Sequence, residues 1–289
     1  MKYIFTLFIF LSFLSLFSCV KQTIPPSNQQ VEREAAAPVF QTLEFKETIV
    51  SEQEPVQLKE GERPQVEIVL SLLSVDGSQE LRSILYQTLY KGKEPADYKN
   101  NVIEGWKAEY QGLWKEDYAA QETSLAALSG EYYETITLPF QHQSVLVIKQ
   151  EIYEYKGGAH GNTEVQYFVI DLEKNSRVKL EDILSADSRP QLKQYLEKAL
   201  RDYAAANSNE PLAADENIAD IYLYWEDWWN GHAGLPENFF LSAEGLGIYW
   251  NQYEIASYAV GGIALTLPYS TIEPLLSADG RALITKLKK

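Results

Sequence analysis

Two runs of strand-forming residues, joined by a glycine-rich loop, place the tightest limit on what this chain can fold into. Residues 132–155 (YYETITLPFQHQSVLVIKQEIYEY) and 163–172 (TEVQYFVIDL) are rich in β-branched and aromatic residues, which favour strands. The six residues KGGAHG between them contain three glycines, which is typical of a β-hairpin with a longer loop. Alternation in the first run predicts two apolar faces, with Leu146, Ile148 and Ile152 on one and Val145 and Val147 on the other.

Helical and strand-like patterns fall into separate blocks along the rest of the chain. Apolar residues at helical spacing predict helices over 78–90, about 96–128, about 189–206 and 270–276. Strands are predicted over 64–73, 177–180, 238–255, 263–269 and 281–287, and weaker alternation indicates an edge strand at 40–50. Because regular βαβ alternation is missing, we expect an α+β fold with antiparallel sheets and helices packed on them. We expect two small, closely associated domains, over 62–172 and 173–289.

The first residues carry the signals of an exported lipoprotein. Lys2 precedes a 15-residue apolar run, which is shorter than a membrane-spanning helix and typical of a signal peptide over residues 1–18. The sequence LFSC, ending at Cys19, is similar to a lipobox and predicts a lipid (palmitate) anchor on Cys19. The alternative is an ordinary signal peptide cleaved elsewhere. Residues 19–61 contain few large apolar residues, so they are predicted to form a flexible linker.

The cysteine count and the net charge exclude some kinds of site and disfavour some classes of binding partner. Cys19 is the only cysteine, so once it is acylated the folded part has no disulfide, thiolate metal site or cysteine nucleophile. The formal net charge of −16 disfavours nucleic acid and anionic lipid headgroups, because both are bound through Lys and Arg. It favours a basic protein partner, although an acidic surface that only keeps the protein soluble is the alternative.

Motifs for catalysis are missing from the sequence. No G-x-S-x-G elbow, P-loop, dinucleotide fingerprint or H-E-x-x-H occurs, and no metal or cofactor site is predicted. The histidines His142, His160 and His232 lie far apart and lack metal-site spacing. His160 is either a base or ligand presented by a mobile glycine loop, or a residue of a tight turn whose glycines supply positive φ values. We favour the turn, because no nucleophile accompanies His160 in the sequence.

An aromatic cluster is the second candidate for binding. Five aromatic residues occur within eight positions: Tyr222, Tyr224, Trp225, Trp228 and Trp229. Aromatic side chains of this kind anchor protein interfaces and stack on sugar rings. At helical spacing the three tryptophans also suit a core, and we expect core positions for two of the three.

Two stretches, 153–184 and 239–276, resemble a known family. They are similar to the paired extracytoplasmic domains of unknown function found ahead of the catalytic module in certain peptidoglycan deacetylases. The same pair forms the extracellular part of the lysozyme-sensing anti-sigma factor of Gram-positive bacteria. The resemblance rests on residues 155–163, Asp171-Leu172, 180–182, 253–255, Tyr258, Gly261 and Pro268-Tyr269.

The resemblance implies an α+β fold, an extracytoplasmic location, and a position of the GGAHG loop in the sheet region between the two domains. Neither the metal motifs of the deacetylase module nor the cytoplasmic segment of the anti-sigma factor is found in the sequence. The resemblance therefore implies the sensing or binding half alone, and neither deacetylation nor sigma-factor control.

We therefore expect a lipid-anchored, non-enzymatic binding or sensing lipoprotein of the bacterial cell envelope. Its expected ligand is a cell-wall glycan or a basic wall-active protein such as lysozyme. The candidate binding residues are Tyr155, Gly158, His160, Trp225, Trp228 and Trp229. One alternative is an envelope hydrolase in which His160 and carboxylates act on peptidoglycan or another glycan. A structural envelope component that assembles with other lipoproteins is a third possibility.

Overall fold

The computed structural model describes residues 43–52, 66–75, 78–119, 130–207 and 216–288, which belong to one compact unit. Side chains are not described at 43–52, 66, 107 and 110–119. The predicted signal peptide (1–18), the lipidation site Cys19 and most of the predicted linker lie outside these ranges. No helix within the described ranges is long and apolar enough to cross a membrane.

A six-stranded sheet with strand order β1-β2-β3-β4-β5-β6 forms the centre of the fold. Its strands are β1 (Leu43–Glu52), β2 (Val66–Val75), β3 (Gly130–Gln141), β4 (Val145–Tyr155), β5 (Asn162–Asp171) and β6 (Ser176–Val178). All neighbours pair antiparallel except β2 and β3, which are parallel. Parallel neighbours need a long crossover connection, and two helices between β2 and β3 provide it. The expected α+β fold is confirmed.

The edge strand β1 lies inside the segment that was predicted to be a linker. It pairs along its whole length with β2, from Leu43 opposite Val75 to Glu52 opposite Val66. The weak alternation at 40–50 therefore indicated a strand correctly, and the linker prediction is wrong for residues 43–52. A strand within a sheet has its backbone hydrogen bonds fixed by its neighbour, which is incompatible with a flexible tether.

Helices α1 (Gln79–Tyr90) and α2 (Pro95–Ala119) cover one face of the sheet. Ser78 caps α1 by accepting a hydrogen bond from the backbone N–H of Leu81 at 3.1 Å. Lys91 and Gly92, both with positive φ, end the helix. Of the predicted helix at 96–128, residues up to 119 are helical, and 120–129 lie outside the described residues.

A second layer covers part of the opposite face. It contains a three-stranded antiparallel sheet of β7 (Phe239–Leu241), β8 (Gly245–Trp250) and β9 (Ile263–Pro268). Its helices are α3 (Leu180–Ile183), α4 (Arg189–Asn207), α5 (Ile218–Ile221), α6 (Trp225–Gly231), α7 (Tyr269–Ile272) and α8 (Ala278–Leu287). Two 3-10 turns occur at Tyr258–Val260 and Glu273–Leu275.

The predicted strand at 281–287 is wrong, because this segment belongs to helix α8. Ser277 caps the helix by accepting a hydrogen bond from the N–H of Gly280 at 2.9 Å, and Ile284 is buried. The apolar run ALITKL is too short for its periodicity to separate a strand from a helix. The predicted helix at 270–276 is confirmed as α7 followed by a 3-10 turn.

Strand β4 contributes to two apolar clusters, one on each face of the sheet. Leu146 and Ile148 are buried against α1 and α2, whereas Val145 and Val147 are buried against the second layer. The alternation read from the sequence is thus confirmed. The predicted domain boundary after residue 172 falls between β5 and β6, which pair in the same sheet, and the division into two domains stays a prediction.

Candidate functional site

The glycine-rich loop connects β4 to β5 as a hairpin, as predicted. The strands pair from Val145 opposite Asp171 to Glu154 opposite Asn162. Gly157 and Gly158 have φ values of 86° and 93°, which only glycine adopts without strain. The Tyr155 hydroxyl donates a hydrogen bond to the Gly158 carbonyl at 3.1 Å and ties the loop to its own strand.

His160 lies at the exposed tip of this hairpin. Its ring stacks on Tyr258 with 3.8 Å between ring centroids and 22° between ring planes. Its Nδ1 lies 3.0 Å from the Gly161 carbonyl, to which the Tyr258 hydroxyl also donates at 3.0 Å. In the described part of the chain His160 forms no ion pair with a carboxylate.

Two tyrosines, Tyr153 and Tyr258, contact Gly161 of the loop. A Cβ at this position would lie well inside van der Waals contact of the Tyr153 ring, so only glycine lets that ring pack over the loop. Tyr258 reaches the same residue through its hydrogen bond to the carbonyl. The glycine therefore brings together a strand residue and a residue almost one hundred positions further along the chain.

The two tyrosines belong to a larger group on one face of the sheet. Tyr133 of β3 lies directly opposite Tyr153 of β4, with 5.8 Å between ring centroids. The Tyr253 ring lies 5.6 Å from that of Tyr258. We call this group the tyrosine platform; its members are Tyr133, Tyr153, Tyr155, Tyr253, Tyr258 and His160.

Tyr253 is the most exposed tyrosine of the platform, with 51% of its surface accessible. Its φ is 67°, in the left-handed region that bulky residues rarely adopt. Such a conformation costs free energy and is common at binding sites, where the surrounding structure holds it in place. Here the segment that follows β8 holds it, and the ring is presented to solvent.

Carboxylates surround the rings on the same face. Glu131 lies opposite Tyr155 across the β3–β4 pair, and Glu67 lies beside Glu131 on β2. The Tyr133 hydroxyl donates a 2.9 Å hydrogen bond to Glu67. Burial, this hydrogen bond and the charge of Glu131 together raise the pKa of Tyr133 to about 12. Burial and the charge of Glu131 also raise the pKa of Tyr153.

Two asparagines fix the second layer against the hairpin. Among the described residues, the outer edge of β5 pairs with a strand only from Val169 onward, and side-chain amides bond its backbone before that point. Asn251 bonds both backbone groups of Val165, at 2.6 Å to the N–H and 3.1 Å to the carbonyl. Asn238 bonds the Val165 carbonyl at 2.7 Å and the Tyr167 N–H at 2.9 Å. These bonds position the segment that presents Tyr253 and Tyr258.

The cluster at 222–229 forms part of the core. Trp225 and Trp229 have exposures of 0% and 3%, and Trp228 is half-buried, which confirms the expectation of two core tryptophans. Because a buried ring offers no surface to a ligand, the assignment of Trp225 and Trp229 as binding residues is corrected, whereas that of the half-buried Trp228 stays a prediction. The Trp228 ring contacts Trp225, Trp229, Trp250 and His232, so its contacts involve none of the platform rings.

One buried carboxylate lies on the opposite face of the sheet. Glu134 has an exposure of 0% and accepts hydrogen bonds from Tyr98 (3.0 Å), Tyr132 (2.9 Å) and Gln150 (2.6 Å). Burial raises its pKa, and these three donors oppose that shift. Because Tyr98 belongs to α2, the network attaches this helix to the sheet.

Concave surfaces also occur away from the platform. A cavity of about 170 Å³ lies between β6 and α8, and one of about 380 Å³ lies beside β6 and α3. Arg177 lines both, and its guanidinium lies 4.9 Å from the centre of the Phe168 ring. Among the residues that the structure describes, no three His, Cys, Asp or Glu side chains come together to hold a metal ion.

Sequence reasoning found Tyr155, Gly158 and His160 but missed the rest of the platform. Tyr153 and Tyr155 alternate at strand spacing in IYEY, and Tyr133 lies in the strand-like stretch YYETI, but these patterns are weak signals of a site. Tyr253 and Tyr258 belong to a stretch that resembles a known family, and the sequence carries no other signal for them. Their proximity to the hairpin depends on contacts between residues distant in sequence.

Comparison with known proteins supports the resemblance seen in the sequence. Residues 181–270, which include Tyr253 and Tyr258, match the family described as "Protein of unknown function (DUF3298)". The chain is also 26% identical over 141 residues to the peptidoglycan-N-acetylmuramic acid deacetylase PdaC of Bacillus subtilis (strain 168). That match covers 47% of this chain and only 27% of PdaC. The expected similarity to deacetylase-associated domains of unknown function is confirmed.

Two crystal structures of DUF3298 family proteins share the fold. One, from Bacteroides fragilis NCTC 9343, has a TM-score of 0.69 at 23% identity and covers 85% of this chain and 97% of its own. The other, from Pseudomonas aeruginosa PAO1, has a TM-score of 0.54 at 16% identity and covers 82% and 95%. At these identities the likeness concerns the fold alone.

Proposed function

We propose that this protein is a lipid-anchored binding or sensing lipoprotein of the bacterial cell envelope, and that it binds a cell-wall glycan through the tyrosine platform. The observation that carries the proposal is the group of part-exposed rings that the hairpin and the segment after β8 bring together. Aromatic rings of this kind provide large, stiff contact area at low entropic cost. The similarity to PdaC, whose name describes an enzyme acting on peptidoglycan, supports a cell-wall ligand.

The anchor rests on residues 1–19. A short apolar run and a lipobox-like sequence ending at Cys19 support export and acylation. We expect a radiolabelled or clickable fatty acid to be incorporated into the protein in bacteria, and Cys19→Ser to abolish incorporation. Equal labelling of the two proteins would refute acylation at this residue.

Glycan binding is tested by co-sedimentation of the purified protein with insoluble peptidoglycan. Tyr253→Asn removes the most exposed ring, and asparagine tolerates the positive φ, so the local backbone is retained. We expect about tenfold weaker retention, the usual effect of losing one well-placed aromatic contact. Tyr253→Phe keeps the ring and should be retained like the wild type. Equal retention of all three proteins would exclude the platform as the glycan site.

A basic wall-active protein, such as a lysozyme, is the second candidate ligand. The formal charge of −16 and the carboxylates on the platform face favour it. An immobilised lysozyme should then retain the protein at low ionic strength and release it as salt is raised, because screening weakens exposed charge pairs. If lysozyme does not retain the protein at low salt, this candidate is excluded without affecting the glycan proposal.

A further inference from the structure

The tyrosine platform combines aromatic rings with carboxylates that have no cationic partner among the residues that the structure describes. Glu131 and Glu67 lie side by side on neighbouring strands, and neither forms an ion pair within the described residues. The lysines of this hairpin are already engaged. Lys149 pairs with Glu151, whereas Lys156 pairs with Glu109 and Glu154.

We propose that the platform selects glycans whose amino sugars carry free, protonated amines over glycans that are fully N-acetylated. This inference rests on the proposed function and names the class of glycan that the same site binds. The inference goes beyond the proposed function because it assigns Glu131 and Glu67 as specificity-determining residues.

The rings provide the first part of the selection. A cation close to an aromatic face is attracted by the ring quadrupole, and aromatic groups that surround an ammonium are a common way to recognise it. Tyr133, Tyr153 and Tyr155 lie on one sheet face. Tyr258 adjoins them at Gly161, and the Tyr253 ring lies next to that of Tyr258. An N-acetylated sugar stacks on such rings but offers no charge to them.

The carboxylates provide the second part. The second layer covers the Val145 end of this sheet face, whereas β4 is only half-buried from Glu151 to Tyr155. A protonated sugar amine above the rings would therefore meet the negative potential of Glu131 at a partly desolvated surface, where charge pairs are less screened than in bulk water. A neutral acetamide gains nothing from that potential, and its extra bulk keeps the sugar further from the sheet.

The experiment compares two soluble oligomers of equal length, one of β-1,4-linked glucosamine and one of β-1,4-linked N-acetylglucosamine. Calorimetric titration of each into the purified protein at low salt should give at least about tenfold tighter binding of the glucosamine oligomer. Glu131→Gln should remove most of this preference. Glu244→Gln changes the net charge equally but lies at the far end of β8 from Asn251, so it should keep the preference.

Three outcomes would overturn the inference, and they separate it from the proposed function. Tighter or equal binding of the N-acetylated oligomer, with sensitivity to Tyr253→Asn, refutes the selection but leaves glycan binding in place. Binding of neither oligomer, together with no retention on peptidoglycan, refutes both. A lysine-rich peptide of matched charge that binds as tightly as the glucosamine oligomer, and is equally sensitive to Tyr253→Asn, makes the platform a site for basic proteins instead.

Discussion

Adjacent tyrosines on β3 offer a matched test of how α2 is attached to the sheet. The hydroxyls of Tyr132 and Tyr133 each donate a 2.9 Å hydrogen bond to a glutamate. Tyr132 points into the core and bonds the fully buried Glu134, whereas Tyr133 points to the other face and bonds the exposed Glu67. Tyr132→Phe and Tyr133→Phe therefore remove the same group from bonds of equal length in different surroundings.

The expected costs differ because water replaces the lost partner at only one of the two sites. A hydrogen bond to a buried charged group contributes about 1.5–3 kcal/mol, and the carboxylate keeps only Tyr98 and Gln150 as donors after the change. We therefore expect Tyr132→Phe to lower the free energy of unfolding by about 2 kcal/mol. For a unit of this size, that corresponds to a fall in Tm of about 4–8 °C. Tyr133→Phe should stay within about 0.5 kcal/mol of the wild type.

Urea unfolding at pH 8, followed by tryptophan fluorescence, measures both variants against the wild type. Equal m-values are needed for the midpoints to be compared as stabilities. Equal losses from the two substitutions would contradict the buried network. A negligible loss from Tyr132→Phe would show that Glu134 does not depend on this donor.

Three further expectations follow from the same contacts. Burial raises the folded-state pKa of Glu134 above its ordinary value, so the folded protein binds the carboxyl proton more tightly than the unfolded chain does. The free energy of unfolding should therefore fall as pH rises from about 4.5 through the folded pKa. Glu134→Gln should flatten this part of a pH–stability curve, and an unchanged slope would contradict the raised pKa. Gly161→Ala should displace the Tyr153 ring, costing about 1–3 kcal/mol by thermal denaturation and weakening peptidoglycan retention, whereas wild-type behaviour in both assays would contradict the close packing at this glycine. Asn251→Asp keeps the size of the side chain but cannot donate to the Val165 carbonyl, so we expect a loss of about 1–3 kcal/mol and faster hydrogen exchange at the β5 edge; protection equal to the wild type would show that the amide is dispensable.

The sequence predicts those parts of the fold that depend on local pattern. The hairpin around Gly157 and Gly158 follows from two strand-like runs and a glycine loop. The two faces of β4 follow from alternation, since Leu146 and Val147 each pack on a different layer. The core positions of two tryptophans in α6 follow from helical spacing.

The features that the sequence does not predict depend on contacts between residues that are distant along the chain. The parallel alignment of β2 with β3 depends on how the helical crossover packs. The strand prediction for α8 is wrong because local propensity does not identify this segment as a helix. What places Ile284 on the buried side of a helix is its packing in the second layer. The platform joins Tyr133, Gly161 and Tyr258, which only tertiary contacts bring together, so a single sequence shows its members without showing the site.

Chemical-shift mapping tests the tyrosine platform as the binding surface most directly. A ¹⁵N-labelled sample of the full chain would be titrated with soluble peptidoglycan fragments, and backbone amide shifts followed residue by residue. We expect the largest shifts at 153–163 and 251–260, with little change around Arg177 at the cavities beside β6. Shifts concentrated at those cavities, or along α1 and α2, with the hairpin unaffected, would contradict the assignment.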